Sequence, residues 1–183
     1  MPLRPFIAML ACVAIPVLAG AQSPELNLPS FASLQQKATQ SVDITIGSLA
    51  LGIMGRLMDD DDQDSAAMKQ LIAGLKSVRV RSYQFAADFT YAKADIDAVR
   101  SQLSGPAWTR LAQVHDEKKG EDVDVYVALD DQKVKGFAVV ASEPREFTIV
   151  NIVGAVDLEK IGALQKQLGL PDVGVARLPP HVL

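Results

Sequence analysis

One cysteine, Cys12, stands in the 183 residues, and it lies in an apolar leader. Once that leader is cut away no thiol remains. Disulfides, thiolate metal sites and thiol catalysis are then excluded. Histidine is nearly as scarce, with only His115 and His181. The chain has no G-x-S-x-G nucleophile elbow. It also has no phosphate-cradling G-x-x-x-x-G-K-[ST] loop and no H-E-x-x-H pair. A basic excess is missing too, since the formal net charge is −4. Nucleic acid is therefore not an expected partner, because it calls for a basic patch. No residue is assigned a catalytic, cofactor or metal role.

What the chain does carry begins at its N-terminus. Arg4 and the free amine are followed by the apolar run Phe6–Leu18 and then by Ala19-Gly20-Ala21. A positive end, an apolar run and small residues at an A-x-A site are the order of a secretory signal. The run is shorter than the roughly 20 apolar residues of a membrane span. Cleavage is expected after Ala21, leaving a mature chain that starts at Gln22 and is destined for the periplasm or cell envelope. Lipid anchoring at Cys12 is the weaker alternative, because it would leave the apolar Val13–Ala21 as the tether. Removal of Arg4 with the leader takes the net charge to −5, and 162 of the 183 residues remain. That length suits a single domain.

Gln22–Pro29 reads as a linker, with the single α+β domain covering residues 30–183. Ser30 or Ser33 is expected to cap a helix running to about Gln40, with Phe31, Leu34 and Ala38 on one face. Val42–Ile46 alternates as a short extended piece. Ser48–Met58 reads as a helix in which Leu49, Ile53 and Leu57 repeat every four residues with Met54 beside them, and Gly52 and Gly55, though weakening it, would permit close approach of a neighbouring helix. Asp64 or Ser65 caps a helix to about Lys76 that buries Met68, Leu71, Ile72 and Leu75. A strand at Val78–Phe85 follows, then a helix at Asp95–Leu103 ended by Gly105-Pro106. Four strands come next, Trp108–His115, Val123–Leu129, Lys133–Ala141 and Phe147–Val153. Their connections are too short for parallel crossovers. The expected sheet is an antiparallel meander of four to five strands with helices packed on it. A last helix is expected at Asp157–Leu168.

A two-residue turn at Asp131-Gln132 sets Leu129 opposite Val134, Val127 opposite Gly136 and Val125 opposite Ala138. These share a face with Val150 and Ile152. The other face carries Tyr126, Phe137, Val139, Ile149 and Asn151. A slip of one residue would exchange the two sets. The Tyr126/Phe137/Ile149 face is also apolar and needs a cover of helices or a partner, such as a second copy.

The charged features have limited reach. Asp59–Asp62 suggests a divalent cation, but it lacks the Gly and Glu of the common calcium loop and reads as a solvated run. Glu143, Glu146 and Asp157 are candidates for carboxylate pairs, and His115 for a general base. Arg79 and Arg81 alternate on one strand and would suit a phosphate or carboxylate. Their other reading is the solvated face of a strand near the sheet edge. Trp108 reads as core. Asn151, if buried, needs hydrogen-bond partners.

Leu75–Phe85 (LKSVRVRSYQF), Trp108, Val123–Leu129 (VDVYVAL) and Glu143–Asp157 (EPREFTIVNIVGAVD) follow one another in a recurrent order. Over about Leu28–Leu170 the chain resembles the bacterial family catalogued as domain of unknown function 4252. The resemblance implies a small exported or lipid-anchored envelope protein and carries over no catalytic residue. The expected function is an exported, non-enzymatic binding or interaction module. The alternatives are a small envelope enzyme using Glu143, Glu146 and His115, and a carrier for an apolar ligand.

Overall fold

The computed structural model describes residues 23–155, apart from 59–62 and 131–132. The leader with Cys12, the Asp59–Asp62 run, the Asp131-Gln132 turn, the expected helix at Asp157–Leu168 and His181 lie outside the described residues.

Alternating apolar side chains build six strands: β1 (Gln40–Gly47), β2 (Leu75–Gln84), β3 (Trp108–Asp116), β4 (Glu121–Asp130), β5 (Lys133–Glu143) and β6 (Glu146–Gly154). They form one antiparallel sheet in the order β1-β2-β6-β5-β4-β3. The meander β3–β6 is as expected, and the α+β class holds. The strand count is corrected to six, because Val42–Ile46 is the middle of a full edge strand paired to β2 over eight residues. β2 therefore lies one place in from the edge, and Arg79 and Arg81 are not edge residues.

Helices cover both faces. α2 (Ser48–Leu57) and α3 (Gln63–Gly74) lie on one, and α1 (Ala32–Lys37) and α4 (Lys93–Leu103) on the other. α3 buries Met68, Leu71 and Ile72 as its periodicity predicts. It ends at Gly74, so Leu75 opens β2 with no intervening loop. α4 buries Val99 and Leu103. At α1 the expected serine cap is replaced. The residue before the helix is Phe31 in the left-handed region (φ 44°), without a side-chain cap. That strain is held by packing, since the Phe31 ring meets Tyr83 at 6.0 Å and Phe147 at 5.8 Å, edge to face.

The expected register holds at Leu129↔Val134 and then breaks. Ala128 pairs with Gly136, Val127 with Phe137, Tyr126 with Ala138 and Val125 with Val139. One extra residue in β5, Lys135, sits in a bulge and shifts the rest of the strand by one. Phe137 and Val139 thus join Val125, Val127, Val150 and Ile152 under α2 and α3. Gly136 and Ala138 move to the face of Tyr126 and Ile149. Tyr126, Phe137 and Ile149 are all buried within the chain itself: of the two expected covers it is helices that serve, α1 and α4 over Tyr126 and Ile149, and α2 and α3 over Phe137.

Residues 23–29 carry no helix or strand, but they pack as a strap across the α1/α4 face. Asn151, fully buried, accepts from Leu26 N at 2.9 Å and donates to Pro24 O at 3.1 Å and Phe137 O at 3.4 Å. Its neighbour Arg79 donates to Leu26 O at 2.9 Å and pairs with Glu25 at 2.5 Å. Asn27 and Gln102 of α4 exchange two further bonds. Gly136 lets the strap lie close. A Cβ there would stand 2.6 Å from Pro24 Cβ and 3.2 Å from the Trp108 ring.

Candidate functional site

The strand ends bearing the β3–β4 and β5–β6 turns frame an open cleft of about 520 Å³. Asp88, Lys119, Glu121, Glu143, Arg145 and Glu146 supply its charge. One wall is the segment after β2, fastened to the β5–β6 turn. Phe85 N donates to Arg145 O (2.9 Å) and Phe89 N to Pro144 O (2.7 Å). The Tyr91 hydroxyl donates to Glu143 O. Phe85 and Phe89 stack at 4.1 Å, and Tyr91 lies 5.4 Å from Phe147.

The structure brings Glu143 and Glu146 together, as partners across the β5–β6 turn. Their surroundings are those of a tied network. Glu146 Oε1 accepts from the Ser82 and Thr148 hydroxyls, each at 2.9 Å, and both hydroxyl residues are buried. Arg145 Nε is 2.9 Å from Asp88, and Lys119 Nζ is 3.7 Å from Asp116 and 3.8 Å from Glu121. His115 does not join them. It lies on β3, with β4 and β5 between it and β6, and its exposed ring is 3.9 Å from Glu117. The carboxylate–histidine constellation is therefore not assembled. Among the described residues no group of three or more His, Cys, Asp or Glu is arranged to hold a metal.

Arg79 and Arg81 are engaged inside the molecule, Arg79 with the strap and Arg81 with Asp43 on β1. Trp108 is half-buried against the α1/α4 layer. A second charged cluster lies behind that layer. Arg100 of α4 bridges Asp122 (2.9 Å) and the buried Asp124 (2.7 Å), and Arg110 approaches Asp124 at 3.5 Å. Burial opposes the Arg100 charge. The hydrogen bond that Arg100 donates to Asp122 and the charges of both aspartates outweigh it and hold the pKa above its ordinary value. This cluster fastens α4 to β4.

Burial raises all three tyrosine pKa values. At Tyr91 the Glu143 and Glu146 charges add to it. A group whose folded pKa is raised stabilises the fold fully below its unfolded pKa. That contribution is lost as pH rises through the folded value. Stability is thus expected to fall as pH climbs above about 10, the ordinary tyrosine value. Tyr91→Phe should flatten that fall, as read from unfolding midpoints between neutral and alkaline pH. An unchanged alkaline slope in Tyr91→Phe would remove Tyr91 as its source.

The sequence leaves the buried side of α2 open. Its four-residue repeat, Leu49, Ile53 and Leu57, is 80, 48 and 81 % exposed. The buried residues are Leu51 and Gly55. The cause is visible in the helix itself. SLALGIMGRL carries one charge, Arg56, and is apolar on every side, so a four-residue spacing picks out two faces equally well. Leu51 and Gly55 face the sheet and α3, with Ile72 lying 3.8 Å from where a Gly55 Cβ would stand. At 3.6 residues per turn Ile53 lies about 160° round the helix from Gly55.

The class defined by these features is a small α+β protein, a six-stranded antiparallel sheet layered with helices on both sides and fronted by a charged, internally paired cleft. A family model described as Domain of unknown function (DUF4252) matches residues 35–164, and the chain belongs to that family. No curated protein and no solved structure matches it. Among the described residues no helix is long and apolar enough to cross a membrane.

Proposed function

We propose that the mature protein is an exported, non-enzymatic envelope protein that acts by binding through the outward face of α2. The observation that carries this reading is the exposure of Leu49, Ile53 and Leu57 on a helix with a single charge. A helix that is apolar all round belongs in contact with something on each side, and one side of α2 faces outward. The cleft supports the non-enzymatic part, since its cations are paired with neighbouring acids and Glu146 is tied to Ser82 and Thr148. Export rests on the leader and its A-x-A site.

Two measurements test the reading. The variant L49Q/I53Q/L57Q should keep its stability within about 0.5 kcal/mol, as exposed substitutions do, and lose retention on an apolar matrix. A marked drop in unfolding midpoint would instead place the three side chains in the core. Fractionation of cells carrying a C-terminally tagged chain should find a periplasmic or envelope product whose N-terminus is Gln22. A full-length cytoplasmic product would end the export reading.

A further inference from the structure

We infer that the occupant of the α2 face is a second copy of this chain, joined edge to edge through β1. The inference rests on the reading of α2 as a binding face and adds the identity of its partner. Its independent support is the character of the sheet edge. Natural edge strands are guarded by Lys, Pro, bulges or inward charges. β3, at one edge, has these devices, a bulge between Arg110 and Ala112 and the charged Arg110 and Asp116. β1, at the other, is Q-S-V-D-I-T-I-G, without Lys, Arg or Pro, and pairs with β2 in unbroken register. Its one charge, Asp43, is engaged by Arg81.

The strand is also complementary to itself. Antiparallel pairing about a two-fold axis at Ile44 sets Ile44 against Ile44 of the second copy and Val42 against Ile46. All of these lie on the half-buried α2 side of the sheet. On the other side Asp43 falls opposite Thr45, so no like charges meet. Direct opposition of like charges is what disfavours a strand pair. The two α2 helices then run antiparallel, and Leu49, Ile53 and Leu57 form a stripe that reads the same in both directions. The surface is a small one: β1 and α2 supply 8 and 10 consecutive residues, just short of the roughly 20–30 residues a side of a standard interface. The product is one sheet of twelve strands, with both β1 edges removed from solvent.

The mature chain has no cysteine, so a single introduced thiol reports directly. Ile44→Cys should give a disulfide-linked dimer under mild oxidation, because cross-strand partners at a two-fold axis bring Cβ atoms within about 5 Å. Val114→Cys, on the β3 edge and 45 % exposed, is the control and should not. Light scattering of the wild-type mature protein should give twice the monomer mass, and L49Q/I53Q/L57Q should return it to monomer. A dimer that persists in the triple variant, with Ile44→Cys no more cross-linked than Val114→Cys, would overturn this surface. A wild-type monomer without cross-linking overturns the second-copy assignment. If it is still retained on an apolar matrix through Leu49, Ile53 and Leu57, the binding reading of α2 survives. If that retention is absent as well, both fall.

Discussion

Gly154→Ala should destabilise the protein by about 3–5 kcal/mol, the sum of backbone strain and a steric clash. Gly154 ends β6 with φ at 137°, a region closed to residues with a Cβ. A Cβ there would stand 2.6 Å from Leu75 Cα and 2.9 Å from Lys76 N, closer still to Gly74 O. All three are backbone atoms, so no side-chain rotation relieves the clash. The place matters as much as the contact. α3 passes directly into β2 here, the β2–β6 ladder slips between Leu75 and Ser77, and Ala155 N donates to Gly74 O at 2.8 Å. Shifting Gly154 therefore disturbs the helix end, the strand start and the ladder together. Equilibrium unfolding in urea checks the figure. A loss below about 1 kcal/mol, the ordinary effect of a point mutation, would show that the junction relaxes freely.

Asn151→Leu should cost about 3 kcal/mol, although the two side chains have the same number and branching of heavy atoms. The reason is the strap. Asn151 satisfies Leu26 N and Pro24 O from the middle of a strand, and leucine can satisfy neither. A buried donor or acceptor left without a partner costs roughly 1–3 kcal/mol. The effect should be local before it is global. Leu26 is 2 % exposed in the wild type, and its amide should exchange with solvent far faster in the variant than the β5 and β6 amides do. Equal acceleration across the sheet would mean that Asn151 holds the core rather than the strap.

These two residues show how unevenly the fold was legible. Asn151 stands out in the sequence as a polar residue in an apolar strand, which needs partners once buried. Its partners are 125 and 127 positions away in Ser23–Leu28, a stretch with no periodicity to announce a packing role. The candidate site shows the same division. Glu143 and Glu146 were singled out and do meet in one cleft, because a short hairpin brings its ends together. The separation of His115 from them depends on strand order, which no local pattern encodes. The surface with the most interaction character, the outward side of α2, is not singled out by spacing, because the helix is apolar all round.

The amino-acid sequence by itself determined the antiparallel meander β3–β6 and the core faces of α3 and α4. Short connections permit only antiparallel neighbours, and a single apolar stripe on each of those helices leaves one way to turn. The tertiary structure alone decided the rest. It made β1 a full sixth strand by pairing it with β2. It placed Phe137 and Val139 beneath α2 and α3 through one bulged residue, Lys135, because strand faces alternate with a period of two and a single insertion exchanges them. It also chose between the two apolar sides of α2, burying the one with Gly55, where the helix approaches Ile72 closely, and turning Leu49, Ile53 and Leu57 outward.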